Sequence, residues 1–263
     1  MSERRLPGGH DQGAVVVGGT VRRAGGPWTP AVHALLRHLS QRGFQGAPVP
    51  LGFDAQGREV VSFLPGATVG DQRPWPGWVH SDDALREVGD WVRRYHDALT
   101  DFVPPVDAHW RIDSRTWRPG DVVGHNDAGP YNAVWEPGPP ARLIGFVDWD
   151  FAGPCSRIED LAFLAFSWVP LHARRVVAAE GFTDFGARSR RLRILLDAYG
   201  FSGTVTDLLD AVASRIDQHI QDVRALAAAG DNLFQHLVAA GATDGLAEAL
   251  SELERDRHDL HGL

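Results

Sequence analysis

The order of its periodic segments constrains this chain most. Stretches with strand character stop near residue 150, and everything from Arg157 onward has helical periodicity. The pattern predicts a small β-rich part followed by a larger helical part.

"AVVV" and "TVRR" flank Gly18-Gly19 and read as a hairpin, in which Val16 faces Val21 if the two glycines form the turn. "WTPAVHALLRHLSQRG" reads as a helix with Thr29 as its N-cap and Pro30 at its first position. Its apolar face is Val32, Leu35, Leu36 and Leu39. "APVPLGFD" and "REVVSFLPG" give two further strands. The Pro/Trp-rich connection "DQRPWPGW" suggests a lobe boundary, so the expected division is 1–66 and 67–263. Residues 81–101 then form a helix capped by Ser81, with Leu85, Val88, Trp91/Val92, Tyr95 and Leu99 on one stripe. Further helices are expected at 157–169, 184–199, 206–229, 232–240 and 244–260. The overall class is α+β, with a small β-rich N-lobe carrying one helix and a mostly helical C-lobe.

Composition removes several functions. All 26 basic side chains are arginine, and lysine is absent. A Walker-A loop, Schiff-base chemistry and a lysine general base are therefore impossible. The net charge of −8 argues against nucleic acid or an anionic membrane as partner. The lone Cys155 has no internal disulfide partner, which with the lack of an apolar leader or spanning segment points to a reducing cytoplasm. "RSRRLR", residues 188–193, reads as a solvated helix face.

Two of only three asparagines, Asn126 and Asn132, fall within "GHNDAGPYNAVW", residues 124–135. The spacing is His125-x-Asp127-x4-Asn132, and the apolar strand "LIGFV" then ends in Asp148. A carboxylate at Asp127 can orient an attacking hydroxyl. An amide oxygen at Asn132 and a carboxylate at Asp148 are hard ligands suited to Mg²⁺. Asn132 is neutral, so it can ligate without repelling Asp148. Asn126 reads as a turn residue, and Asp150 as either an alternative metal ligand or a solvated acid.

This segment, with "FVDWD" after it, resembles the aminoglycoside phosphotransferase/choline kinase-like family of the protein-kinase-like fold. The resemblance implies a bilobal kinase fold with Asp127 as the catalytic residue and Asn132 and Asp148 as metal ligands. It also implies a phosphate flap from "PGGHDQGAVVVGG", with Val16 and Val21 beside the nucleotide, and adenine meeting Ser62, Phe63 and Leu64. His125 would orient the loop, and Asp160 would be structural. Where the family has a strand lysine, this chain offers only Arg22 or Arg23, and alternation favours Arg23. The helix over residues 30–42 contains no acid to hold that cation.

The expected function is Mg²⁺-dependent transfer of the γ-phosphate of ATP or GTP to a small-molecule alcohol, such as an aminoglycoside-like antibiotic, by a monomer or homodimer. Asp217, Asp222 and Asp231 are candidates to meet a cationic acceptor. Two alternatives stand beside it: a kinase acting on Ser/Thr of a peptide, and a catalytically degenerate binding or immunity protein.

Overall fold

The computed structural model of the protein describes residues 3–6, 13–70, 72–112, 115–136 and 142–261. Residues 7–12 of the expected phosphate flap lie outside that set. The chain divides into two compact units, interleaved along the sequence: Met1–Asp71 with Asp90–Arg157, and Gln72–Gly89 with Ile158–Leu263.

The first unit opens with β1 (Arg4–Arg5), β2 (Val15–Val17) and β3 (Thr20–Arg23). α1 (Thr29–Gln41), β4 (Pro50–Phe53) and β5 (Glu59–Ser62) follow. The strands form one antiparallel sheet in the order β1-β2-β3-β5-β4. Gly18 and Gly19 both have positive φ (56° and 79°), a backbone that glycine adopts without steric cost, and they close a two-residue turn. That turn pairs Val16 with Val21 and sets Arg22 and Arg23 on opposite faces. The apolar side of α1 is buried as its period requires: Val32, Leu35, Leu36 and Leu39 are at most 2% exposed. Thr29 is not the N-cap of α1, because the helix already includes it and its hydroxyl accepts the Gly26 amide at 2.9 Å.

α2 (Asp82–Ala98) starts at Ser81, whose hydroxyl accepts the Ala84 amide at 3.1 Å. Its stripe, Leu85, Val88, Trp91, Val92 and Tyr95, is buried. β6 (Val122–Gly124) pairs antiparallel with β9 (Gly153–Cys155). β7 (Ala133–Glu136) and β8 (Arg142–Phe146) form a separate hairpin. β7 is tied to the chain leaving β5 by a reciprocal pair, Ala67 N to Trp135 O and Trp135 N to Ala67 O, each 2.9 Å.

One close backbone approach fixes the β7–β8 hairpin. The Gly46 carbonyl accepts from the Phe146 amide at 3.1 Å and from the Trp91 indole at 3.2 Å. A Cβ on Gly145 would lie 2.2 Å from that carbonyl oxygen. Only glycine fits there without moving the backbone. Gly145→Ala is expected to destabilise the protein by about 3 kcal/mol, by the overpacking route. The urea midpoint at unchanged m checks it.

The second unit is helical. It contains most of α3 (Arg157–Trp168), then α4 (Arg174–Ala179) and α5 (Arg188–Tyr199). α6 (Val205–Ala228), α7 (Asn232–Ala239) and α8 (Ala242–His261) complete it. A capping box of Thr204 and Asp207 starts α6. The "RSRRLR" face departs from its expected solvation. Arg188 and Arg191 are 4% and 2% exposed. Arg188 donates to the His172 carbonyl at 2.9 Å, and Arg191 donates to the carbonyls of Trp168 (2.8 Å) and His80. Burial pushes the Arg191 guanidinium down to about 10. These arginines satisfy helix-end and turn carbonyls inside the unit, a role their sequence context did not announce. Among the described residues no helix is long and apolar enough to cross a membrane.

Candidate active site

Every residue of the site lies in the first unit. Its floor is aromatic. Trp91 stacks on Tyr95 one turn along α2, with ring centroids 5.1 Å apart, and packs edge-on to Phe146 at 4.6 Å. Tyr95 meets Trp149 at 5.5 Å, and Trp149 meets His125 at 4.4 Å. The Tyr95 hydroxyl donates to the Val123 carbonyl. The helical stripe read from the sequence is thus the support on which the loop after β6 rests.

His125 is fully buried and spans two segments. Its Nδ1 accepts the Asp127 amide at 3.3 Å, so its Nε2 carries the proton and donates to the Val147 carbonyl at 3.1 Å. This imidazole links the Asp127 loop to the residue before Asp148. The Val147 amide in turn donates to the Asn132 carbonyl at 3.0 Å. Asn132 Nδ2 donates to the Asp127 carboxylate and to its carbonyl, both at 2.9 Å. Asp127 and Asn132 are therefore bonded directly, and Val147, the residue before Asp148, is bonded to both His125 and Asn132. With Nδ2 committed to Asp127, the amide oxygen of Asn132 is the atom left to act as a ligand.

Asp148 itself sits in the left-handed region (φ 61°, ψ 70°), an unusual backbone for a non-glycine residue, and its side chain is 48% exposed. Among the described residues no group of three or more His, Cys, Asp or Glu side chains could hold a metal ion. Asn132 and Asp148 carry oxygen donors of the hard kind that Mg²⁺ takes. One amide oxygen and one half-exposed carboxylate leave the remaining positions to phosphate and water, the habit of this cation.

Arg23, not Arg22, faces this cluster. Its Nη1 meets Asp148 Oδ1 at 3.0 Å, its Nη2 meets Asp150 Oδ1 at 2.5 Å, and its Nε donates to Glu59 Oε2 at 2.7 Å. Arg22 turns the other way, 3.6 Å from Asp54. Burial works against the charge on Arg23, but Asp150, Asp148 and Glu59 outweigh it and raise its pKa. Burial alone would raise the pKa of Glu59. The His33 hydrogen bond and the charges of Arg23 and His33 prevail and hold it below the usual range. Asp150 is shifted up by burial, against the pull of Arg23 and with the push of Asp148. Asp150 is therefore an arginine partner rather than a solvated turn acid.

Ser62 and Phe63 already use their amides inside the sheet, to the Val49 carbonyl at 2.8 Å and the Gly19 carbonyl at 3.0 Å. Of the acids considered for a cationic acceptor, Asp231 caps α7 through the amides of Leu233 and Phe234, and Asp222 is 7% exposed and accepts from Gln218.

Two site residues escaped the sequence reading. Tyr131 donates its hydroxyl to Asp127 Oδ1 at 2.6 Å. The signal for it was its position, four residues after Asp127 and next to Asn132. Asn126 is more than a turn residue. It has φ 62°, is 7% exposed, and accepts from Arg115 Nη1 at 3.0 Å. Its Nδ2 reaches the carbonyls of Gly124, Phe151 and Gly153 at 3.3, 3.1 and 3.1 Å. Asn126→Ala is expected to cost about 3 kcal/mol, since it leaves several buried carbonyls unsatisfied and puts alanine at positive φ. Thermal unfolding checks the cost, and faster amide exchange at Asp127 would show that the loop itself has loosened.

A family model described as the phosphotransferase enzyme family APH matches residues 82–195. A trifolitoxin immunity protein of Rhizobium leguminosarum bv. trifolii is 38% identical over 189 residues, covering 70% of this chain and 69% of that one. A viomycin phosphotransferase of Streptomyces vinaceus is 39% identical over 71 residues, 26% of this chain and 24% of its own. Among solved structures, the GDP complex of aminoglycoside 2'-phosphotransferase-IIIa superposes with a TM-score of 0.60 at 14% identity, over 98% of this chain and 93% of that one. A choline/ethanolamine kinase family protein from Mesorhizobium loti gives 0.61 at 16% identity, over 100% and 93%. The fold is thus kinase-like, with a small antiparallel-sheet lobe and a larger helical part.

Proposed function

The chain belongs to the APH phosphotransferase family, and on that premise we propose that it moves the γ-phosphate of ATP or GTP to an alcohol group of a small molecule. The observation that carries this reading is the bonded chain Asp127–Asn132–Val147, which ties the Asp127 carboxylate to the Asn132 amide and Asn132 to the residue before Asp148. Asp127 orients the attacking hydroxyl and accepts its proton. Asn132 and Asp148 hold Mg²⁺, which when bound neutralises charge on the phosphoryl oxygens. Arg23 faces the same place with two N–H-bearing nitrogens and meets phosphate. Residues 1–66 carry the nucleotide-contacting groups, and residues 67–263 the catalytic and acceptor-binding ones.

A second reading is favoured by the relative named as a trifolitoxin immunity protein. In it the chain confers protection against a toxin, either by phosphorylating Ser/Thr of a peptide or by binding without catalysis. Thermal-shift titration with Mg·ATP and Mg·GTP, followed by a ³²P-transfer screen over aminoglycosides, other alcohols and Ser/Thr peptides, separates the readings. Transfer to a small alcohol supports the first. Transfer only to peptide supports the catalytic form of the second, and no stabilisation by either nucleotide supports its binding form.

A further inference from the structure

Glu59 is a carboxylate at 1% exposure in the middle of a sheet, where burial of a charge is expensive unless every oxygen is answered. Both oxygens are. Glu59 lies directly across from Arg23 in the β3–β5 register, and its Oε2 accepts from Arg23 Nε at 2.7 Å. Its Oε1 lies 3.0 Å from Nε2 of His33, a residue of α1 at 3% exposure. The imidazole is itself packed on Phe53 of β4, with centroids 5.3 Å apart.

This arrangement uses the shape of a guanidinium. A planar fork pinned at Nε has its two terminal nitrogens pointed in one fixed direction. Here that direction is toward Asp148 and Asp150. A lysine ammonium, a single point on a flexible stem, could not be pinned at one nitrogen and present two others. A salt bridge kept only for stability is often matched or bettered by an apolar pair of similar volume. The third-party contact from Arg23 to the site acids is what an apolar pair could not supply.

We propose that His33 and Glu59 are positioning residues that hold the Arg23 guanidinium in place to meet nucleotide phosphate, a role that rests on the phosphotransferase reading above. Glu59 answers the cation from the neighbouring strand, and α1 contributes through an imidazole. The acid-free helix is therefore no gap in the site. The proposal extends the site by two residues that touch neither nucleotide nor acceptor.

The test compares wild type, Glu59→Gln, His33→Ala and His33→Gln. Measured are the affinity for Mg·ATP and Mg·GTP, kcat at saturating nucleotide, and exchange of the Arg23 Nε–H proton by NMR on ¹⁵N-arginine protein. Expected is a loss of nucleotide affinity of about tenfold or more in Glu59→Gln and His33→Ala, the scale of one hydrogen bond to a charged group. Their kcat should stay near wild type, and their Nε–H exchange should rise. His33→Gln, which restores an N–H donor, should recover most of the affinity. Variants that fold and bind nucleotide as wild type does would overturn the proposal alone. So would affinity and kcat falling together with thermal stability, unrescued by glutamine. A wild type that binds neither nucleotide would overturn the phosphotransferase reading and this proposal with it.

Discussion

Asp127→Asn is expected to lower kcat by about a thousandfold or more, while nucleotide affinity stays within about twofold of wild type. The amide keeps an oxygen for Asn132 Nδ2, which now donates to Asp127 Oδ2 at 2.9 Å, and its NH2 can donate to the Tyr131 hydroxyl, which now donates to Oδ1 at 2.6 Å. What it loses is the charge that orients a hydroxyl and takes its proton. In the proposed reading phosphate and metal contacts belong to Arg23, Asn132 and Asp148, so the ground state of the nucleotide complex should barely change. The interaction is one made in the transition state, and its removal appears in kcat rather than in nucleotide binding. Single-turnover transfer and a thermal-shift titration measure the two quantities separately. Joint loss of both, with a fallen melting temperature, would indicate a disrupted loop and not a missing base. Tyr131 gives a control within the same site. Its hydroxyl occupies Asp127 Oδ1, an atom on which an incoming alcohol would also call, so Tyr131→Phe should leave Asp127 able to act.

Local signals carried much of this molecule. Two adjacent glycines, free to take positive φ, fixed the turn and hence the register that pairs Val16 with Val21. From that register, alternation along β3 put Arg23 on the face opposite Arg22. The stripe on α2 was legible because five large apolar residues at helical spacing have no other common face. The Asp127–Asn132 pair was legible because the two lie five positions apart in one loop, and the β7–β8 hairpin returns the chain to Asn132 at Val147.

What stayed hidden depends on pairings between distant segments. Glu59 opens an apolar strand, and nothing local says that its partner is Arg23, thirty-six positions earlier, or that His33 reaches it from a helix. β9 contains a proline and three residues only, and it exists because β6 pairs with it across the catalytic segment. Asn126 looked like a turn residue because its four side-chain bonds go to atoms whose positions the tertiary fold decides. Thr29 has the residue type and the following proline of an N-cap, but its hydroxyl answers Gly26 behind it and not an amide of the helix. The compact units interleave along the chain, so residues far apart in sequence share one of them.

Arg23→Met should be the most damaging substitution in the site for stability, at about 3 to 5 kcal/mol near pH 7. Methionine fills much of the space, so cavity formation is a small part of the cost. The larger part is charge. Glu59 keeps only His33, and Asp150 and Asp148 lose the cation they share. The pH dependence identifies the cause. In the wild-type protein, Glu59 titrates below its ordinary value, so it contributes stability that is present above the unfolded carboxylate range and lost as pH falls through its folded value. Without Arg23, burial is less opposed and the folded-state pKa values of Glu59 and Asp150 move up. A raised carboxylate binds protons more readily folded than unfolded, so the variant gains stability as pH falls toward the ordinary carboxylate range. The gap between wild type and variant should therefore be widest at neutral and alkaline pH and shrink steadily on acidification. Urea unfolding at a series of pH values measures it. A gap that stays constant across that range would mean that packing around Arg23, and not the charge it balances, sets its worth.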